Sequence, residues 1–178
     1  GGGGEFRFRK PVFDKDFVTC EPTETPDGVR IDVLTAESEE PRAYFSAKRV
    51  AEPLQPLRDG EVLQKSTYLL GEAFGSNYGA RAGDEFLLYG DTGIIHPAVW
   101  PALANDVVYN QVARGSWIHM RSIVRHHSLA HDGDTAELHS VVVRRFEAHG
   151  ERAVLDVHIS VGGVVVASLE HEAIVALH

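Results

Sequence analysis

The chain has 178 residues, of which 43% are hydrophobic, and this is enough to bury one good core or two small ones. Its net charge of −9, without a basic cluster interleaved with aromatic residues, argues against nucleic acid as a partner. The single cysteine, Cys20, excludes an internal disulfide, and because neither a signal peptide nor a membrane-length apolar run is visible, we expect a cytoplasmic protein without a membrane partner.

The first third of the chain is predicted to consist of strands joined by polar turns. Gly1 to Gly4 look like a tag remnant or linker and are left out of the fold prediction. Turn-like composition at residues 22–28 and 37–41 separates the predicted strands, which cover residues 5–9, 11–20, 29–36 and 42–50. No helix is predicted to cover these strands, although a sheet with one apolar face needs a covering layer.

A loop and a long helix are predicted in the middle of the chain. Residues 74–79, Phe-Gly-Ser-Asn-Tyr-Gly, have a loop composition. A helix is predicted over residues 97–113, because prolines occupy its first turn, Gly115 follows its end, and the span gives roughly 25 Å at ~1.5 Å per residue. Its apolar residues fall on nearly every face, so we expect it to be surrounded by protein.

Alternating apolar and polar residues after Gly115 predict four antiparallel strands in a meander. The turns between them are predicted at residues 131–134, 149–150 and 162–163. Strands this long require a curling sheet, which offers a concave face to the helix. The polar run Glu170-His-Glu172 within an apolar strand suggests a solvated edge or polar partners near the start of the helix.

Histidines and acidic residues near these strands raise the question of a metal site. His119, His126 and His127 are close in sequence, but neighbouring residues of a strand point to opposite faces, so no metal or cofactor is expected. Asp132-Gly-Asp134 is interpreted as a hairpin turn rather than a calcium loop. Trp100 and Trp117 are expected in the core, with a ligand platform as the alternative.

Two segments resemble MaoC-like acyl dehydratases. Glu5-Phe-Arg-Phe-Arg-Lys-Pro-Val-Phe-Asp-Lys-Asp-Phe-Val18 is similar to the strand and turn that follow the central helix in that family, and the region from Trp117 to Asp134 is similar to a second copy. The resemblance implies an α+β hot-dog fold, in which a curled antiparallel sheet wraps a long helix. It also implies a double hot dog with an incomplete first copy, made of residues 5–61 (strands only) and residues 62–178, with the central helix at about 97–113.

The chemistry implied by the resemblance is that of R-specific enoyl-CoA hydratases. There, an aspartate and a histidine five positions later activate water, and a His-Gly at the helix start binds the thioester oxygen through a backbone N–H. Asp91 and His96 have the spacing of the dyad. Alternatively, and preferably, His96-Pro97 replaces the His-Gly. Pro97 then lacks the required N–H, residues 74–79 hold no matching dyad, and this copy is degenerate.

The resemblance implies an acyl-thioester hydratase or dehydratase of fatty acid metabolism, acting on acyl-CoA or an acyl-carrier thioester. His96 and Asp91 are the candidate catalytic residues, and the candidate substrate contacts are Asn77, Tyr78, Gly79, Trp100, Trp117 and His119. Each has a plainer alternative: a capping or packing role for His96, a turn role for Asp91, and loop or core roles for the others. Two other functions stay open: a hot-dog thioesterase that uses Asp91 or Asp106, and a non-catalytic acyl-CoA or lipid binder. An internal pseudo-dimer or a homodimer is expected.

Overall fold

The computed structural model describes residues 2–50 and 52–177. Gly1 of the glycine run, Ala51 of the predicted first part and His178 at the end of the predicted second part lie outside the described residues. Ten strands lie in one sheet: Gly3–Phe8 (β1), Val18–Thr25 (β2), Gly28–Thr35 (β3), Ser38–Lys48 (β4), Glu61–Val62 (β5), Ser66–Leu69 (β6), Ile118–His126 (β7), Thr135–Glu147 (β8), Glu151–Val161 (β9) and Val164–Ala176 (β10).

Helical structure lies between β6 and β7. A short 3₁₀ helix covers Ser76–Ala82 and is followed by the short helix Leu88–Thr92 (α1). The main helix, Val99–Val107 (α2), continues into a π-helical turn at Val108–Val112. The predicted helix at 97–113 is therefore present, two residues shorter at its start and irregular in its last turn.

The order of strands in the sheet is β2-β3-β4-β1-β7-β10-β9-β8-β5, and β6 also pairs with β8. The same order occurs twice, because β2-β3-β4-β1 corresponds to β8-β9-β10-β7. The two sets meet where β1 pairs antiparallel with β7, with Gly4 opposite Val124 and Phe6 opposite Ser122. A single hydrogen-bonded sheet thus runs through both sets.

The predicted meander after Gly115 is wrong in one respect. β8, β9 and β10 are consecutive neighbours, but β7 pairs with β10 rather than with β8. Alternation of apolar residues fixes which face of a strand is buried and leaves the choice of neighbour open. The same pairing places β10 in the interior of the sheet, so Glu170-His-Glu172 is not at an edge.

Several predicted boundaries in the first third are corrected. Residues 11–17 form a loop rather than a strand, and β2 continues through Pro22–Thr25 to a tight turn at residues 26–27. The turn predicted at residues 37–41 is shorter, since β4 begins at Ser38. Gly3 and Gly4 belong to β1, where a Cβ on Gly4 would lie 2.7 Å from the backbone oxygen of Ser46, so these glycines are part of the fold.

The hydrophobic core lies between α2 and the strands β7 to β10. Val99, Leu103, Val107 and Val108 are buried on the helix, while Tyr109 is 65% exposed, so one side of the helix faces solvent. The core residues of the sheet occupy alternate positions, as half-buried strands require. They include Val124, Leu138, Leu155, Val157, Ile159, Leu169 and Ala173.

Candidate functional site

His96 lies immediately before α2, and both of its ring nitrogens have partners. The backbone N–H of Ala98 donates to Nδ1 at 3.1 Å. Because Nδ1 accepts a hydrogen bond, the proton of the neutral ring lies on Nε2. Nε2 is 3.1 Å from Oδ2 of Asp84, so the N–H donates to that carboxylate. His96 therefore bonds the backbone of Ala98, the residue that precedes α2, and also holds a carboxylate.

Asp84 is fixed by two hydrogen bonds. Its Oδ1 accepts from the backbone N–H of Phe86 at 2.9 Å, and its Oδ2 accepts from His96. These two interactions, that of Phe86 first, lower the pKa of the Asp84 carboxyl below its ordinary value. The side chain is 39% exposed, so the ionised carboxylate remains accessible to water.

A cavity of about 260 Å³ opens beside this pair. Tyr89 packs its ring edge-on against His96, with centroids 4.7 Å apart. Gly79 lies close to His96, since a Cβ built there would be 2.6 Å from Nε2. The side chains of the lining combine acids, an amide and aromatic rings: Asn77, Asp84, Phe86, Tyr89, Asp91 and His96.

His96 matches the family motif in two alternative ways, and the geometry is closer to the one in which His96-Pro97 replaces the His-Gly. His96 and Asp91 line the same cavity, but the carboxylate bonded to His96 is Asp84. His96-Pro97 directly precedes the helix, where the N–H groups of Val99 and Trp100 donate to the carbonyl oxygens of His96 and Pro97. Since Ala98 donates to the His96 ring and Pro97 has no N–H, the helix start has no free donor for an oxyanion among residues 97–100.

The predicted substrate contacts do not lie together in the structure. Asn77 lines the cavity, Gly79 lies against the His96 ring, and the ring of Tyr78 is 6.4 Å from that of His96. Trp100 is buried in the core, with 3% exposure, and Trp117 packs against the same core. Neither tryptophan is among the residues that line the cavity.

His119 lies elsewhere, in a buried chain of polar groups on β7 and β10. Oγ of Ser122 is 2.8 Å from Nε2 of His119 and 2.8 Å from Nδ1 of His171. The two imidazoles stack at 4.4 Å, and Phe8 packs against His119. Burial lowers the pKa of His119 to about 4 and that of His171 well below its ordinary value. Both rings are therefore neutral at pH 7.

Asp106, the helix carboxylate of the thioesterase alternative, is held by two neighbours. The hydroxyl of Tyr68 donates to its Oδ2 at 2.5 Å, and Nδ2 of Asn110 donates to the same oxygen at 3.0 Å. Burial, followed by the hydrogen bond to Asp106, raises the pKa of Tyr68 to about 12. Asp106 is thus occupied as an acceptor.

Other candidate ligands also have partners. Nε2 of His127 is 2.8 Å from Oγ of Ser168, and Asp132 accepts hydrogen bonds from Ser76. Within residues 2–50 and 52–177, no group of three or more histidine, cysteine or acidic side chains could hold a metal ion. Over the same residues, none of the helices has the length and apolar character needed to cross a membrane.

Three important residues were not singled out as site candidates from the sequence. Asp84 is twelve positions before His96, and Tyr89 belongs to a short helix that the sequence does not predict. For His171 the sequence predicts either a solvated edge or polar partners near the start of the helix. The run Gly83-Asp-Glu-Phe86 gave a weak signal for Asp84, because an aspartate that begins a turn often bonds the N–H two residues on.

Comparisons with known proteins identify similar structures but no similar sequences. No protein-family model matches the chain, and no curated protein matches it in sequence. An (R)-hydratase from A. caviae involved in PHA biosynthesis is similar in structure, with a TM-score of 0.55, 18% identity and coverage of 69% of this chain and 100% of that one.

Longer proteins match nearly the whole chain. A MaoC-like dehydratase has a TM-score of 0.66 and 12% identity, over 97% of this chain and 74% of that one. An acyl-CoA thioesterase II from Mycobacterium marinum has a TM-score of 0.55 and 11% identity, over 99% and 80%. At such identities the likeness concerns the fold, and it confirms the predicted one: the chain is a hot-dog protein, with the fold of R-hydratases and MaoC-like dehydratases.

Proposed function

We propose that this protein binds enoyl-CoA-type acyl thioesters and hydrates them, or carries out the reverse dehydration, as a MaoC-like protein of fatty acid metabolism in the cytoplasm. The observation that carries the proposal is the His96–Asp84 hydrogen bond beside the 260 Å³ cavity at the start of α2. Hydration needs an acid–base group next to the reacting double bond, and an oriented carboxylate at a solvent-accessible cavity supplies one.

The roles follow from the hydrogen bonds. In hydration, the water oxygen bonds to the β-carbon while Asp84 removes one of the water's protons. The protonated Asp84 then gives that proton to the α-carbon, so that one water adds across the double bond and the carboxylate is regenerated. His96 orients Asp84, because its Nε2–H is fixed by the contact of Nδ1 with Ala98. Since the helix start has no free N–H, the amide of Asn77 is the candidate donor to the thioester oxygen.

We also propose that residues 5–61 and 62–178 act as the two halves of a pseudo-dimer, the first of them incomplete. The repeated strand order and the β1–β7 pairing support this arrangement. Among the described residues, the main helix has its principal strand contacts with β10 and β7 of the second half, so the catalytic proposal concerns the cavity of that half.

Thioester hydrolysis is the second candidate. Asp91 lines the same cavity as His96 and is a carboxylate that could activate water or attack the thioester. Asp106 is less suitable, since Tyr68 and Asn110 occupy its carboxylate.

The test measures loss of the crotonyl-CoA double bond and release of free thiol in one reaction. Hydration by the wild type and a fall of about 100-fold or more in His96→Gln support the proposal. The control is His139→Gln, which changes an exposed histidine on β8. Thiol release without hydration selects the thioesterase, and saturable binding of crotonyl-CoA without either product selects a non-catalytic binder.

A further inference from the structure

The turn between β7 and β8 contacts the segments on two sides of the cavity: the 3₁₀ helix that begins at Ser76, and the residues that lead into His96. On one side, the carboxylate of Asp132 accepts two hydrogen bonds from Ser76: the backbone N–H donates to Oδ1 at 2.8 Å, and the hydroxyl donates to Oδ2 at 2.5 Å. Ser76 is 3% exposed and is the first residue of the 3₁₀ helix. A single carboxylate thus fixes the start of that helix.

On its other side, the same turn holds the segment that leads into His96. The N–H of Asp132 donates to the carbonyl of Gly93 at 2.9 Å, and the N–H of Ile95 donates to the carbonyl of Ala130 at 2.9 Å. Ile94 and His131 form an antiparallel bridge between these two bonds. The residues immediately before His96 are therefore paired to the turn by their backbone.

The two attachments set the distance between the walls. The 3₁₀ helix carries Asn77 to the cavity and carries Gly79 to His96, where a Cβ would be 2.6 Å from Nε2. Gly75 packs as closely on the other side of Ser76, since a Cβ there would be 2.7 Å from Oδ1 of Asp132. With so little space, a shift of the 3₁₀ helix changes the surroundings of His96 directly.

We propose that Asp132 is a positioning residue for the cavity: through Ser76 and Gly93 it fixes Asn77 and Gly79 relative to the His96–Asp84 pair, without itself contacting substrate. The consequence for turnover rests on the proposed hydratase function, whereas the consequence for the His96 ring does not. Asp132 is absent from the lining of the cavity and touches the pair only through other residues. Its removal is therefore expected to affect reaction geometry more than substrate binding.

The test compares Asp132→Asn, Ser76→Ala and the double variant with a matched control, Asp134→Asn. The asparagine keeps an acceptor for the Ser76 N–H but turns the acceptor of the hydroxyl into a donor. Asp134 lies in the same turn and accepts from the N–H of His131 rather than from Ser76. Two readouts are used: kcat and KM for crotonyl-CoA hydration, and the ¹⁵N chemical shifts of the His96 ring nitrogens.

The expected result is a fall in kcat of about 10-fold or more in Asp132→Asn, with KM changed by less than about 2-fold. The effects of Asp132→Asn and Ser76→Ala should be non-additive, because both remove one interaction. The His96 ¹⁵N shifts should move in Asp132→Asn and stay in Asp134→Asn, and this holds even if the wild type shows no turnover. Unchanged His96 shifts in Asp132→Asn, or equal changes in Asp134→Asn, would overturn the proposal.

Discussion

Gly79 and His96 are so close that no side chain fits between them: a Cβ on Gly79 would lie 2.6 Å from Nε2 and 2.8 Å from Cδ2 of His96. Both atoms belong to the ring edge that faces Asp84, whose Oδ2 would be 3.0 Å from the same Cβ. The backbone of Gly79 is not in the left-handed region, so its conformation does not require glycine. The short distances to His96 and Asp84 do require it. The His96–Asp84 geometry thus depends on the absence of a side chain at Gly79.

We expect Gly79→Ala to displace the His96 ring and to break its hydrogen bond with Asp84. Crotonyl-CoA hydration should fall about 10-fold or more, with a loss in the free energy of unfolding of about 1–3 kcal/mol from overpacking. Steady-state kinetics and urea unfolding measure the two effects. Gly71→Ala is the control, since a Cβ there meets no atom within 4 Å. Full activity in Gly79→Ala would show that the pair is not needed in this geometry.

Asp84→Asn should reduce hydration by about 100-fold or more, because the amide keeps the shape of the side chain but is not a base. The control is Asp91→Asn, which removes the other acidic side chain from the cavity wall and should leave hydration within about 3-fold. Rates for both variants are measured at saturating and at limiting crotonyl-CoA. The reverse pattern, a loss of hydration in Asp91→Asn alone, would reassign the catalytic carboxylate of the hydration reaction to Asp91.

Stability should fall as the pH decreases below 6.5. The pKa of His119 is lowered from 6.5 to about 4 by burial, so between these values the unfolded chain binds a proton that the folded chain does not. The contribution of neutral His119 to the free energy of unfolding is complete above pH 6.5. It decreases by on the order of 3 kcal/mol as the pH falls towards 4. His171, His126 and His158, whose pKa values are also lowered by burial, act in the same direction.

Urea unfolding at pH 7.5 and pH 5.0 measures this dependence. His119→Phe keeps a ring against Phe8 and His171 but cannot titrate, so its stability should change less between the two pH values than that of the wild type. His139→Gln, at an exposed position, should behave as the wild type. Equal stability of the wild type at both pH values would contradict the burial of neutral histidines.

The segment before β5 should be released when Arg58 is replaced. Nε and the backbone N–H of Arg58 donate to Oδ2 of Asp156, and Nη2 donates to Oε2 of Glu170. These bonds raise the pKa of Arg58 and lower that of Asp156, although burial opposes both shifts. Arg58→Met should cost about 1 kcal/mol, because Arg58 is half exposed, and should speed proteolysis within residues 52–60.

Lys10→Met is the control for the Arg58 experiment. Lys10 pairs with Glu40 at 2.6 Å, and both side chains are largely exposed, so the loss should be at most about 0.5 kcal/mol. Limited proteolysis followed by mass spectrometry identifies the cut sites. If Arg58→Met and Lys10→Met are cut at equal rates within residues 52–60, the anchoring role of Arg58 is wrong.

Local patterns in the sequence predicted much of the fold. Pro97 before α2, Pro101 in its first turn and the glycine after it mark the helix, and the turns at residues 131–134 and 162–163 lie where their composition indicated. Strand neighbours were not accessible in this way, because the pairing of β7 with β10 depends on contacts about 50 residues apart in sequence. The apolar residues at positions 11–17 mimic a strand pattern, and the sequence therefore predicts a strand where the structure has a loop.

The site was predicted less completely than the fold. His96 at the helix start, with Asn77 and Gly79 nearby, followed from the family resemblance and from loop composition. Asp84 could not, since its contact with His96 arises when the 3₁₀ helix and α1 fold back over the helix start, and no motif spacing encodes that path. Likewise, the burial of His171 follows from the interior position of β10, which only the sheet order reveals.

The pairing of β1 with β7 covers a strand edge that would otherwise be open to another chain. β1 occupies the hydrogen-bonding edge of β7 along Arg121 to Arg125. If residues 2–8 were removed, β7 would present a row of free N–H and C=O groups beside an apolar face, and such an edge is a template for strand addition by another chain. We therefore expect that loss of β1, the six-residue strand Gly3–Phe8, exposes the edge of β7 and leads to self-association through strand addition.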